Sequence, residues 1–305
     1  MKKAMIILNP SSGKEKSREY LPRLQEVLQP FYKELTIKET QKEGDAIFYA
    51  KEACLHRYDS VISMGGDGTI SETINGFGEI DFIPRLGIIP FGTINDFARA
   101  LHIPLNPMEA IEMLASQTTK MVDIGKINNG YFMNVLAVGA IAEASYNVTV
   151  EQKTKLGPIA YLIEGVKALI KKTPFVLRIE HDSGAWEGKA YLMIAALTNS
   201  VGGFESLEPN AEVNDGKLHI FIIKEISIPK IFKIIPSLLK GELKYNDQVE
   251  YIKTSVSSIS SSEELAVNID GDEGMLLPIQ ANVLRNHLSV FVPPSSLGRQ
   301  NNEEE

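Results

Sequence analysis

Four short apolar runs, each followed by residues at helical spacing, constrain the first part of this chain more than any other feature. Ala4 to Leu8, Leu35 to Thr40, Ser60 to Met64 and Arg85 to Ile89 read as strands. Between and after them, Ser17 to Leu28, Asp45 to His56, the stretch after Thr69, Asn95 to Leu101 and Pro107 to Ala115 read as helices. Repeated strand–helix units with apolar strands imply a doubly wound parallel sheet covered on both faces. Ligands in such sheets sit beyond the carboxyl ends of the strands. Asn9, Thr40, Gly65 to Thr69 and Gly92-Thr93 all fall at those ends.

The third of these ends, Gly65-Gly66-Asp67-Gly68-Thr69, is the centre of the pattern. A glycine loop between a strand and a helix offers backbone N–H groups and a helix N-terminus to an anion. The glycines are free to take φ > 0 and let a phosphate approach closely. Thr69-Ile70-Ser71-Glu72 reads as a capping box, and Ile70, Thr73, Ile74 and Phe77 form one helical face. Asp67 beside a polyphosphate calls for a cation, with Asp67 and Glu72 as candidate Mg²⁺ ligands. The loop after the fourth strand, Gly92-Thr93-Ile94-Asn95-Asp96-Phe97-Ala98-Arg99, repeats this logic, with Thr93 as the expected cap. Asn9-Pro10-Ser11-Ser12-Gly13-Lys14 is a glycine turn but not a Walker motif: Leu8 and Glu15 stand where glycine and Ser/Thr belong. Read alone, that turn serves a phosphate or simply reverses the chain.

After about Val122 the texture changes to strand-like runs separated by turns. Asn129-Gly130 suggests a two-residue hairpin joining Val122 to Ile127 with Tyr131 to Leu136. Further runs cover Phe175 to Glu180, Gly188 to Thr198, Leu218 to Ile223, Gln248 to Ser255, Ala266 to Ile269, Ile279 to Leu284 and Leu288 to Val292. Helical patterns interrupt them at Pro158 to Lys171 and Ile231 to Leu239. The expected division is an α/β domain over 1–121, completed by the tail 293–305, and an antiparallel β domain over 122–292.

Composition narrows the classes. A net charge of −8 argues against a general nucleic-acid binder. The single cysteine, Cys54, excludes an internal disulfide and suits a reducing compartment. No secretory signal is read, and no apolar stretch approaches the roughly 20 residues of a spanning helix. The five histidines have no metal-ligand spacing.

Together, Asn9-Pro10…Gly13, Gly65 to Thr69, Glu72…Asn75-Gly76 and Gly92 to Arg99 resemble the diacylglycerol kinase catalytic family, in the order and spacing of its soluble bacterial members. Leu156-Gly157…Tyr161, Pro209…Asn214-Asp215-Gly216 and Asn268-Ile269-Asp270-Gly271 extend the resemblance over nearly the whole chain. It implies an α/β nucleotide-binding domain, a β-sandwich domain with inserted helices, and a cleft between them. It also implies ATP- and Mg²⁺-dependent phosphorylation of diacylglycerol to phosphatidic acid by a cytoplasmic protein that docks on the inner membrane face. Nucleotide contacts carried over from the family are Asn9, Pro10, Ser11, Ser12, Gly13, Thr40, Gly66, Asp67, Gly68, Thr69, Ile70, Ser71, Glu72 and Thr93.

The family's proton-accepting Asp-Gly-Glu corresponds to Asp270-Gly271-Asp272, followed by Glu273; Asp272 is one methylene shorter than that pattern. This leaves Asp270, Asp272 and Glu273 open as the base. Taken by itself the segment is an acidic hairpin turn. Ile94 replaces a small residue. A second, structural Mg²⁺ would be held by the Asp215 carboxylate with the carbonyls of Glu212 and Lys217. Sheet-domain families often dimerise, so a homodimer is an open expectation with no interface specified by the sequence. Pro229 to Lys240, apolar at helical spacing with lysines around it, reads as a lipid-docking or core-facing helix. The alternatives are a NAD kinase, a kinase of another lipid (sphingoid base or polyprenol), and a nucleotide-binding regulator that kept the fold.

Overall fold

The computed structural model describes residues 2–13, 16–139, 173–202, 207–225 and 234–296. Two compact units divide the chain, one of residues 1–124 with 285–305 and one of residues 125–284. The first unit therefore takes back the chain earlier than the expected 293.

In the first unit, β1 (Lys3–Leu8), β2 (Glu34–Glu39), β3 (Ser60–Gly65) and β4 (Arg85–Pro90) form a parallel sheet ordered β2-β1-β3-β4. The end of β15 (Ile279–Phe291) adds in parallel beside β4, pairing Val290 with Leu86. Ala4 to Leu8, Val61, Ile62, Met64, Ile88 and Ile89 are buried, as expected of strands covered on both faces. The helices are α1 (Leu21–Leu28), α2 (Asp45–Leu55), α3 (Asp67–Phe77), α4 (Asp96–Ala100) and α5 (Pro107–Met113). β1 is followed by a strand on one side and then by a strand on its other side. The strand order thus reverses between β1 and β3, where a doubly wound sheet opens its crevice.

The second unit is an antiparallel β-sandwich. Its strands are β5 (Thr119–Ile127, reaching in from the first unit), β6 (Gly130–Phe132), β7 (Val135–Gly139), β8 (Phe175–His181) and β9 (Gly184–Ala196). β10 (Leu218–Lys224), β11 (Val249–Thr254), β12 (Val256–Ser260), β13 (Ala266–Ile269), β14 (Asp272–Leu276) and the start of β15 complete it. β9 pairs β8 along its first half and β7 and β10 along its second. Phe132, Leu177, Ile179, Met193, Ile220 and Ile259 fill one core. In β8 alternate residues Phe175, Leu177 and Ile179 point inward, the period of 2 that made the strand readable.

Several expectations change. The hairpin loop is Asn128-Asn129, since Ile127 pairs with Gly130 and Asn128 takes φ 46°. The expected strand from Tyr131 to Leu136 is two strands, broken at Met133-Asn134, because the N–H groups there turn to a side chain rather than a neighbouring strand. Ile279 to Leu284 and Leu288 to Phe291 belong to one 13-residue strand, which the polar Arg285-Asn286-His287 disguised and which stops one residue short of the expected Val292. Among the described residues no helix is long and apolar enough to cross a membrane. The helix expected at Pro158 to Lys171 lies outside the described residues. So do the first residues of the expected docking helix, whose described part, α6 (Ile234–Leu239), buries Ile234 and exposes Leu239.

Candidate active site

At the β1/β3 switch point the first unit opens a cleft of about 410 Å³. Asn9, Ser11, Ser12, Thr40, Gly66, Gly68, Thr69 and Glu72 line it, together with Gln41, Lys42, Glu43 and Ala46. The sheet itself places these residues. Backbone bonds from Asn9 N–H to Met64 O and from Thr40 N–H to Leu8 O, both 2.9 Å, carry the parallel ladder one step past each strand end. Asn9 then fixes its own loop: Oδ1 accepts the Ser11 N–H (3.0 Å), and Nδ2 donates to Thr69 Oγ1 (3.1 Å). Its carbonyl accepts from Ser17 Oγ (3.0 Å). Asn9 therefore works as a brace that turns Ser11 and Ser12 toward the cavity.

The glycines act through closeness rather than left-handed backbone. Gly66 has φ −88°, and neither Gly65 nor Gly68 is among the positive-φ residues. A Cβ on Gly65 would meet Thr69 at 2.4 Å, and one on Gly92 would meet the Gly66 Cα at 2.9 Å. Gly68 faces open space. The expected capping box does not form. α3 starts at Asp67 with Gly66 as its N-cap, and its first bond runs from Ile70 N–H to Gly66 O (3.1 Å). The N–H groups of the first turn precede that bond and are oriented for an anion. Freed from capping its own helix, Glu72 caps another: its two oxygens accept the N–H groups of Gly44 (3.0 Å) and Ala46 (3.1 Å) at the start of α2. Thr93 likewise caps nothing. It is exposed, α4 begins at Asp96, and its N-cap Asn95 sits at φ 57°.

Asp67 joins the two glycine loops. Its Oδ2 accepts the Asn95 N–H (2.8 Å), while Oδ1 is buried with no hydrogen-bond partner among the described residues. Burial, and then the charge of Asp96, raise its carboxyl above the usual aspartate range, against the pull of backbone N–H groups headed by that of Asn95. A buried carboxylate oxygen left without a donor fits a divalent cation, so Asp67 suits Mg²⁺ while Glu72 is already engaged. Pro10, Gly13, Asp67, Ile70, Ser71 and Thr93 do not line the cleft; Asp67 lies behind it, bridging the two glycine loops. Lys42 and Gln41 do, and no pattern marks them in the sequence beyond following Thr40 at a strand end.

In the second unit, Asp270 and Gly271 are the two turn residues between β13 and β14, at φ 51° and 104°. Positive φ at both is the primed hairpin turn favoured by sheet twist. The Asp270 carboxylate accepts N–H groups from Met133 (2.8 Å), Asn134 (2.8 Å) and Val135 (3.0 Å), which is what breaks the strand there. Asp272 and Glu273 are exposed. Of the expected structural-cation set, Asp215 faces Lys253 Nζ (2.9 Å) and His219 Nε2 (3.0 Å), and accepts the Lys217 N–H (2.9 Å). The Glu212 carbonyl accepts the Asp215 N–H.

Comparison with known proteins follows the same division. Residues 3–127 match the diacylglycerol kinase catalytic domain, and residues 134–292 match the YegS C-terminal NAD kinase beta sandwich-like domain. A diacylglycerol kinase of Staphylococcus epidermidis is 39% identical over 96% of this chain and 92% of its own length. A candidate lipid kinase of Streptococcus pneumoniae is 39% identical over 96% and 99%. A solved structure of a candidate diacylglycerol kinase from Bacillus anthracis superposes with TM-score 0.83 and 31% identity, covering 97% of this chain and 96% of that one. With both halves matched and the likeness running nearly end to end, the chain belongs to the diacylglycerol kinase family of lipid kinases.

Proposed function

We propose that the protein transfers the γ-phosphate of ATP to the free hydroxyl of diacylglycerol, giving phosphatidic acid. The observation that carries this reading is the cleft at the β1/β3 switch point, where the N-terminus of α3 meets Ser11, Ser12 and Lys42. N–H donors, hydroxyls and one ammonium at one opening suit a chain of phosphates. Phosphoryl transfer asks mainly for positioning and charge neutralisation. Mg²⁺, when bound, supplies that neutralisation between phosphate oxygens, and Asp67 would hold it. Glu72 serves by holding the 40–46 loop against α3.

The acceptor hydroxyl must lose its proton as its oxygen bonds to phosphorus and the bond to ADP breaks. We assign this proton to Asp272, whose exposed side chain has no hydrogen-bond or ion-pair partner among the described residues. Asp270 is a positioning residue, since its carboxylate is committed to backbone N–H groups. The test is transfer from labelled ATP to diacylglycerol, a sphingoid base, a polyprenol and NAD in parallel. Label in phosphatidic acid is the expected result. Label confined to another acceptor overturns the assigned substrate, and no label in any acceptor supports the regulator instead. For the base, Asp272→Asn is expected to lower kcat at least about a hundredfold with unchanged melting.

A further inference from the structure

The loop that ends in Asp215 carries its own positive charge. His219 and Lys253 are direct cross-strand partners of β10 and β11, so the pleat sends both side chains to one face. Strand register, rather than a chance rotamer, therefore brings two nitrogen donors to the same Asp215 oxygen. His219 is almost wholly buried, and its second nitrogen lies 2.7 Å from the Tyr251 hydroxyl. Burial raises the Tyr251 hydroxyl far above its usual range, so that it stays protonated. The nearby buried Glu208 pairs its Oε1 with Lys244 Nζ at 2.9 Å, while its Oε2 has no hydrogen-bond partner among the described residues.

We infer that Lys253, seated by His219, is the internal counter-ion of Asp215 and takes the place of the structural divalent cation that the family resemblance assigns to this loop. A magnesium ion bonds oxygen at about 2.0–2.1 Å and prefers one or two carboxylates in octahedral array. At Asp215 it would find a single carboxylate, with an ammonium 2.9 Å from one oxygen and the Lys217 N–H on the other. Two like-charged centres a few ångströms apart repel strongly in a half-buried setting. The loop around Asp215 is therefore held without a divalent ion, independently of whether the first unit binds magnesium nucleotide. This inference does not rest on the kinase reading.

The full-length protein without nucleotide tests it. Wild type should melt at the same temperature in EDTA and in millimolar MgCl₂. Lys253→Met should melt about 2 °C lower in both. A rise with Mg²⁺ that Asp215→Asn abolishes overturns the inference; a rise that survives in Asp215→Asn comes from another site and leaves it standing. If Asp215→Asn does not fold, wild-type crystals grown with Mn²⁺ decide. Lys253 against Asp215 with no anomalous peak there supports it, and a peak bonded to the Asp215 carboxylate overturns it.

Discussion

Asp67 and Asp270 both sit beside glycine just past a strand end, Asp67 as the first residue of α3 and Asp270 in a hairpin turn, and both belong to motifs that read as catalytic. Their surroundings differ in one respect. Asp270 is given three backbone N–H groups, whereas Asp67 keeps one buried oxygen with no donor among the described residues. The first is a carboxylate the fold has spent on itself. The second is one the fold has left wanting a positive charge, and a raised carboxyl is the sign of that want. A motif names the residue, and the local supply of donors decides its work.

The largest expected effect separates the two by activity. Asp67→Asn should lower kcat/KM about a thousandfold, ~4 kcal/mol of transition-state stabilisation, while the protein stays folded. Near-normal turnover by that variant would break the comparison. Asp270→Ala should act on stability instead, costing about 3 kcal/mol in denaturant unfolding because three N–H groups lose their acceptor. Unchanged stability would return Asp270 to the list of bases. Glu72→Gln should weaken the α2 cap by about 1 kcal/mol and raise KM for ATP several-fold with little change in kcat.

The smallest effect sharpens the contrast through pH. Because folding raises the Asp67 carboxyl, its ionisation costs stability once the pH exceeds its folded value, and costs nothing below the unfolded value of about 4. Asp67→Asn should therefore melt about 2 °C higher than wild type at pH 7.5, and the gain should vanish on acidification below pH 4. A gain that persists there would mean that charge is not its source.

Much of the first unit was legible because buried parallel strands are short apolar runs with punctuated ends. β1, β2, β3 and β4 and the helix α2 lie within a residue or two of expectation. Asn9, Thr40, Gly66 and Thr69 were legible for the same reason, since strand ends are where such a sheet exposes its loops. What escaped has specific causes. β12 and β14, with sequences VSSIS and DEGML, lack the apolar content that marks a strand. Glu72 looked like a cap for its own helix, and only the packing of α3 against α2 shows otherwise. Lys42 stands in a loop with no periodicity. The break in the strand after Tyr131 was invisible locally because its cause lies 135 to 137 residues away.

That separation bears on how the chain comes together. Bringing Asp270 to residues 133–135 closes a loop of well over a hundred residues, and the entropic toll of closure grows with the logarithm of its length. Contacts so distant in sequence reward the chain late, after nearby hairpins have formed. A nascent chain that has emerged only as far as β12 holds the segment between β6 and β7 with amide hydrogens awaiting their acceptor. Completion of that region is thereby tied to arrival of the β13–β14 hairpin, so the acidic turn that reads as chemistry also serves as the clasp of the segment between β6 and β7.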